Sequence, residues 1–289
     1  MQSGWSANRE RRPRRGVPGT WTAGTRERGV WSCPQTFFHW ARAPIGGVGR
    51  GAALSEPGHR ESVIARFGVG RQCQYREVSF ATELAELLPQ DLPHRENVIA
   101  KAARHLELIV EMNQVMNLTR ILNPREAAIK HVLDSVLPWR LFEGASHVVD
   151  AGTGAGFPGV PLSLVLPETE FSLLDATQKK ARFVESAVAE LALPNARVFP
   201  SRVEEWIHRN PAEIVTGRAI APLHKTTLVF APALKMGARV LLYKGPDAEQ
   251  EIAEAMPEAR KRQIEMRVVS RYELPDGMGA RTIVEITRA

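Results

Sequence analysis

The chain has 289 residues, 44% of them hydrophobic and 24% charged, with 22 Gly and 20 Pro. This is enough apolar material for one large domain or two modest ones, and it excludes a collagen, a coiled coil or a wholly disordered polymer. The net charge of +6 is confined to one end: residues 1–75 carry 12 Arg, no Lys and four Glu, a balance of +8, leaving −2 for the rest. Bulk basicity therefore gives no warrant for nucleic-acid binding by the folded body. Cys33 and Cys73 allow one disulfide at most and no cysteine-built zinc site, and no metal is expected. The most apolar window, Val148–Leu166, holds Asp150, four glycines and two prolines, so no membrane span is read and a soluble, cytoplasmic chain is expected.

Residues 1–75 lack sustained periodicity and scatter Gly, Pro and Arg, as in Arg11-Arg12-Pro13-Arg14-Arg15. They read as a disordered, Arg-rich extension, with a targeting segment or a basic RNA-binding arm as alternatives. Residues 76–145 read as a small helical part. Apolar residues at Ile99, Ala102, Ala103, Leu106, Ile109 and Val110 give helical spacing over Glu96–Val115. Asn123-Pro124-Arg125-Glu126 then supplies an N-cap, a proline at N1 and an acidic first turn for a helix running to about Leu141.

From residue 146 to 289 short apolar runs alternate with helical stretches. The expected strands are His147–Val149, Phe171–Leu174, Arg197–Phe199, Ile214–Thr216, Val240–Tyr243, Met266–Ser270 and Thr282–Ile286. Helices are expected at Pro158–Leu166, Gln178–Leu191, Leu223–Leu234 and Ala248–Arg262. This alternation predicts an α/β fold, a mostly parallel seven-stranded sheet covered on both faces. Ligands on such sheets bind at the carboxyl ends of the strands.

There the chain reads Val148-Val149-Asp150-Ala151-Gly152-Thr153-Gly154-Ala155-Gly156-Phe157-Pro158-Gly159, a strand running into a glycine turn and a helix start. Gly154-x-Gly156-x-x-Gly159 matches the dinucleotide fingerprint, but the match begins several residues beyond the strand. The register that begins at the strand is Asp150-x-Gly152-x-Gly154-x-Gly156. An acidic residue there repels a pyrophosphate and suits the amino group and sulfonium of S-adenosylmethionine (AdoMet). Asp175, closing the second strand, is placed to accept from ribose hydroxyls in either reading. Arg218 follows the fourth strand, where a substrate meets the transferable group, although spacing alone favours a peripheral ion pair.

The ordered set of motifs resembles the ribosomal RNA small subunit methyltransferase G family (GidB-type) over residues 81–289. It comprises Met116-Asn117-Leu118-Thr119, His131-Val132-Leu133-Asp134-Ser135, the run Asp150–Leu162, Leu174-Asp175 and Lys179-Lys180-x-Arg182-Phe183. Arg202-Val203-Glu204-Glu205, Arg218-Ala219-x-Ala221 and Lys244-Gly245 complete it. The resemblance implies a class I AdoMet-dependent methyltransferase (Rossmann-like) acting on N7 of a guanine in the 530 loop of 16S rRNA. Its substrate would be that rRNA, the 30S subunit or an assembly intermediate, and the chain a monomer. Carried over by position, Gly152 and Phe157 contact the cofactor, Val203 and Glu204 flank the adenine, and Arg218 borders cofactor and substrate. Glu213 stands where the family's fourth strand begins with Asp.

The chemistry missing from the body agrees with this. No cysteine lies beyond residue 75 to attack a pyrimidine, and Gly217-Arg218-Ala219-Ile220-Ala221-Pro222 is not the Asn/Asp-Pro-Pro-aromatic turn used on exocyclic amines. Guanine N7 carries an unprotonated lone pair, so no catalytic acid or base is expected; alignment supplies the acceleration. Candidate RNA contacts are Arg120, Arg125, Lys130 and Arg140 on the helical part and Lys179, Lys180, Lys225 and Lys244 near the cleft. The competing readings are an NAD-type oxidoreductase on Gly154/Gly156/Gly159 and a catalytically silent rRNA-binding assembly factor.

Overall fold

The computed structural model describes residues 79–289; the expectations for residues 1–75, both cysteines included, lie outside it. Seven strands form one sheet: β1 (His147–Ala151), β2 (Glu170–Leu174), β3 (Ala196–Phe199), β4 (Ile214–Arg218), β5 (Arg239–Lys244), β6 (Ile264–Glu273) and β7 (Ala280–Arg288). Their order is β3-β2-β1-β4-β5-β7-β6, with β1 to β5 parallel and β7 antiparallel to both its neighbours. Chain order reverses direction between β1 and β4, which creates a crevice at their carboxyl ends. Every expected strand is present. The last two extend furthest beyond expectation, because the hairpin ladder continues through polar pairs such as Glu265 with Thr287 and Tyr272 with Arg281, past its apolar centre.

Strand alternation sends neighbouring residues of β1 into separate cores. Val148 joins one with α1 (Phe80–Leu87), α2 (Arg95–Asn113), α5 (Gly159–Val165) and α6 (Gln178–Glu190). Val149 joins the other with α7 (Val203–Trp206), α8 (Leu223–Lys235) and α9 (Ala248–Lys261). The helical part thus shares its apolar core with β1 and β2.

Asn123 caps α3 (Pro124–Ala127) as expected, its side chain accepting from the N–H of Glu126, with Pro124 in the first turn. The helix after it is not the single rod expected. A π-helical stretch, Ala128–Leu133, and α4 (Asp134–Val136) follow, and Pro138, which has no N–H to give, separates them from a 3-10 turn at Trp139–Leu141. Pro158 sits one position before α5 instead of opening it, its carbonyl accepting from Leu162. Glu213 replaces the family's Asp without disturbing β4: it accepts from the N–H and hydroxyl of Ser146, which hold its pKa below the usual carboxylate value.

Candidate active site

The turn that leaves β1 places Gly152, Gly154 and Gly156 at φ of 71°, 62° and 102°. Gly156 is pressed against α2: a Cβ there would lie 2.8 Å from His105 Cε1. Gly159 is packed as closely on the other side, with a Cβ position 2.7 Å from Asp150 Oδ2. Gly152, in contrast, faces open space. The turn is therefore clamped from below and accessible from above, and only residues without side chains fit both demands.

Two carboxylates brace it. Asp175, at the end of β2, accepts from Gly154 N–H (3.0 Å) and Thr177 N–H (2.7 Å). Asp150 is fully buried, and its Oδ2 accepts from Gly159 N–H at 2.9 Å. Burial raises the Asp150 pKa to about 6, against the opposing pull of the nearby Thr153 hydroxyl, the Gly159 hydrogen bond and the Arg218 charge. Its Oδ1 and the Thr153 hydroxyl are buried without a hydrogen-bond partner among the described residues. Asp150 thus lies beneath the turn and not on its open face.

The opposite wall is aromatic. Phe157 stacks on His131 (4.7 Å, 9°), tilts against His105 (4.9 Å) and carries the Arg218 guanidinium 5.3 Å above its ring. Only 4% of Phe157 is exposed, so its ring supports Arg218 and leaves the backbone as the part open to a cofactor. His105 Nε2 bonds the Ala155 carbonyl at 2.9 Å. Burial lowers the pKa of His105 to about 4; burial, with Arg218 nearby, lowers that of His131 to about 3, so both rings are neutral at pH 7.

Arg218, the last residue of β4, donates to the Lys130 carbonyl (2.6 Å), which the π-helical stretch directs toward it, and to Asp134 Oδ2 (3.3 Å). Asp134 also accepts from Tyr272 OH (3.1 Å) and lies 3.5 Å from Arg281 Nε. Spacing in the sequence does not mark Asp134, His131, His105 or Thr153 as site residues. His131 and Asp134 belong to the His131–Ser135 motif, which was the one available signal.

Val203 and Glu204 open α7 just past the carboxyl end of β3, the first buried and the second half-buried. Lys179 and Lys180 occupy the first turn of α6 beyond Asp175, and exposed Lys225 the first turn of α8. Arg120 is exposed. Four of the candidate RNA contacts are engaged by carboxylates of the fold. Arg125 is held by Asp276 (2.5 Å), Glu83 (2.8 Å) and Glu86 (2.9 Å), acids brought to it by the fold from distant positions. Lys244 is buried, bonded to Glu251 (2.8 Å) and the Ala221 carbonyl (3.1 Å). Lys130 pairs with Glu126 at 2.7 Å and contributes its carbonyl to the site. Arg140 likewise pairs with Asp91.

The dinucleotide reading fails on this geometry. The N–H of Gly159, which a pyrophosphate at the start of α5 requires, is already given to a buried carboxylate. Acidic bracing from two sides suits a cationic ligand. Among the described residues no group of three His, Cys, Asp or Glu is arranged to hold a metal, and no helix is long and apolar enough to cross a membrane.

Sheet order, antiparallel seventh strand and glycine turn together define a class I methyltransferase architecture. A family model described as rRNA small subunit methyltransferase G matches residues 98–276. A protein of that name from Solibacter usitatus is 68% identical over 209 residues, covering 72% of this chain and 100% of its own length. One from Carboxydothermus hydrogenoformans is 35% identical, covering 63% and 79%. Among solved structures, an O-methyltransferase from Bacillus cereus in complex with SAH is 16% identical, with a TM-score of 0.45 over 64% of this chain and 91% of that one. The chain belongs to the rRNA small subunit methyltransferase G family.

Proposed function

We propose that this chain transfers a methyl group from AdoMet to N7 of one guanine in the 530 loop of bacterial 16S rRNA, with the 30S subunit or an assembly intermediate as the substrate particle. One observation carries the cofactor half of this reading: a glycine turn open at Gly152 and floored by a fully buried carboxylate, Asp150, which has no ion-pair partner among the described residues. AdoMet, when bound, supplies a sulfonium-activated methyl group and net positive charge.

In this reading the backbone of Gly152–Phe157 receives the ligand's amino-acid portion, and Asp175 uses its remaining lone pairs for ribose hydroxyls. Val203 and Glu204 flank the adenine. Arg218, held over Phe157 by Asp134 and the Lys130 carbonyl, borders the methyl-transfer position and anchors the guanine or its phosphate. Guanine N7 presents its lone pair at neutral pH, so no residue has to remove a proton. His105 and His131 are neutral and turned into the packing, which suits walls better than acid-base catalysts. The residues then accelerate the reaction by alignment and by excluding water from a reacting pair about 3 Å apart.

Borohydride/aniline cleavage of 16S rRNA, with and without the purified chain and AdoMet, maps the product. A single new cleavage at a 530-loop guanine is expected; none, with AdoMet bound, refutes the assigned target. Arg218→Ala separates an enzyme from a silent rRNA-binding factor. Methylation of purified 30S subunits should fall at least about 10-fold, the loss of one charge-assisted anchor.

A further inference from the structure

The six basic residues between positions 176 and 213 are Lys179, Lys180, Arg182, Arg197, Arg202 and Arg209. None lies within ion-pairing distance of a carboxylate among the described residues. Elsewhere the fold neutralises its cations more often, as at Arg104, Arg125, Arg239 and Lys244. The unpaired set follows one side of the sheet. Lys179, Lys180 and Arg202 lie at the carboxyl edge, Arg197 is on the outermost strand β3, and Arg209 follows α7.

That side also has an uncovered sheet face. Parallel strands are normally shielded on both faces, yet between β3 and β4 the only helix is α7, four residues long. Register places Val149, Ser172 and Arg197 side by side on this face, so its outer part is polar where a covered sheet would be apolar. A cavity of about 250 Å³ opens there, lined by His147, Glu170, Ser172, Arg197, Trp206 and Arg209 among others. Half-buried Trp206 is steadied by Phe199 (5.4 Å) and His147 (6.0 Å), and His147 is fixed by Ser172 Oγ (2.9 Å) and the Pro211 carbonyl (3.0 Å). The cavity belongs to the amino end of β1, the glycine turn to its carboxyl end, about 15 Å away at ~3.3 Å per residue.

We propose that this cavity is a second, non-catalytic docking site for the substrate rRNA. Arg197 and Arg209 take backbone phosphates, Trp206 takes the face of an unpaired base, and Glu170 accepts from that base's amino group. Polar lining disfavours an apolar protein partner, and two free guanidiniums beside a fixed aromatic ring match a nucleotide strand. The cavity lies just below the size of whole-cofactor sites, which fits one base of a longer chain. The strand then runs from Arg209 past Arg197 and Arg202 to the target guanine at the carboxyl edge. This inference rests on the rRNA-methylation reading and adds where the rest of the substrate lies.

The test uses the full chain and a 16S rRNA transcript. Arg197→Gln/Arg209→Gln should weaken RNA affinity about 10-fold or more and lower the slope of log K against log salt by about 1 to 2, two phosphate contacts being lost. Lys235→Gln/Arg260→Gln removes the same charge from two exposed, unpaired positions on α8 and α9 and should change affinity less than about twofold. Ultraviolet cross-linking of the parent chain should attach nucleotides to the tryptic peptide 203–209, which contains Trp206. Unchanged RNA affinity in the first variant, or an equal loss in the second, overturns the docking site. AdoMet calorimetry on the parent and the first variant should agree; no AdoMet heat from the parent would instead overturn the methyltransferase reading.

Discussion

Two acidic centres sit within the same crevice and are built in opposite ways. Asp134, at the corner between the helical part and the sheet, is gripped by Arg218, Tyr272 and Arg281. Asp150, under the glycine turn, has no cation bonded to it and keeps one oxygen without a partner among the described residues. A buried carboxylate with partners holds a structure together, whereas one without them raises its own pKa and waits for positive charge to arrive. The contrast marks Asp134 as scaffold and supports Asp150 as the proposed ligand side of the crevice.

Breaking the Asp134 centre should have the largest effect. Asp134→Ala removes the buried carboxylate shared by Arg218, Arg281 and Tyr272, leaving the two guanidinium charges uncompensated there, and should cost about 3–5 kcal/mol in urea unfolding. Activity should fall with it as Arg218 loses its mooring. A loss under about 1 kcal/mol would show that Asp134 is not the scaffold.

The two neutral histidines around Phe157 come next. A His with a folded pKa below its unfolded value of 6.5 contributes stability that is complete above pH 6.5 and lost as pH falls toward the folded value. His105, at about 4, should contribute about 3 kcal/mol in this way, and His131, at about 3, should act in the same direction. Asp150 opposes them: its folded value of about 6 exceeds its unfolded 3.8, so its ionisation costs stability as pH rises through that interval. The net expectation is a fall in stability between pH 6.5 and 4, with His105→Gln flattening the curve. A stability maximum at pH 4 would contradict it.

Asp150→Asn is the sharper test of the second centre. Folding stability should hold or rise, because a buried charge is removed and the Gly159 hydrogen bond can persist. AdoMet affinity at pH 7.5 should nevertheless drop at least about 10-fold, consistent with a lost charge-assisted interaction. In the parent chain affinity should weaken by up to about 10-fold per unit below pH 6, as Asp150 protonates, and in the variant this dependence should vanish. Equal AdoMet binding by both chains would remove Asp150 from the site.

The smallest effect is expected at Arg125. Its three carboxylates already occupy it, so Arg125→Gln should leave the salt dependence of rRNA binding unchanged within error. A fall of a full unit in the slope would restore it as a phosphate contact.

The same contrast explains what could be read from the chain alone. Strands β1, β2, β4 and β5 are legible because each is a short, largely buried apolar run bounded by turn residues, and the Asp150–Gly156 register is legible because its spacing is local. The Asp134 centre is not, since Tyr272 and Arg281 stand more than 130 positions away and only the fold brings them together. The pairing of Arg125 is equally illegible, since Glu83, Glu86 and Asp276 reach it only through the fold. The π-helical stretch at Ala128–Leu133 leaves no mark in hydrophobic periodicity, because the extra residue per turn is selected by the bonds made at Lys130 and Asp134.

The most direct test of the account is isothermal titration of AdoMet into the full chain at pH 7.5. Saturable heat at one site per chain is predicted. A folded chain that gives no heat with AdoMet would contradict the assignment of the glycine turn and its buried carboxylate as a cationic methyl-donor site.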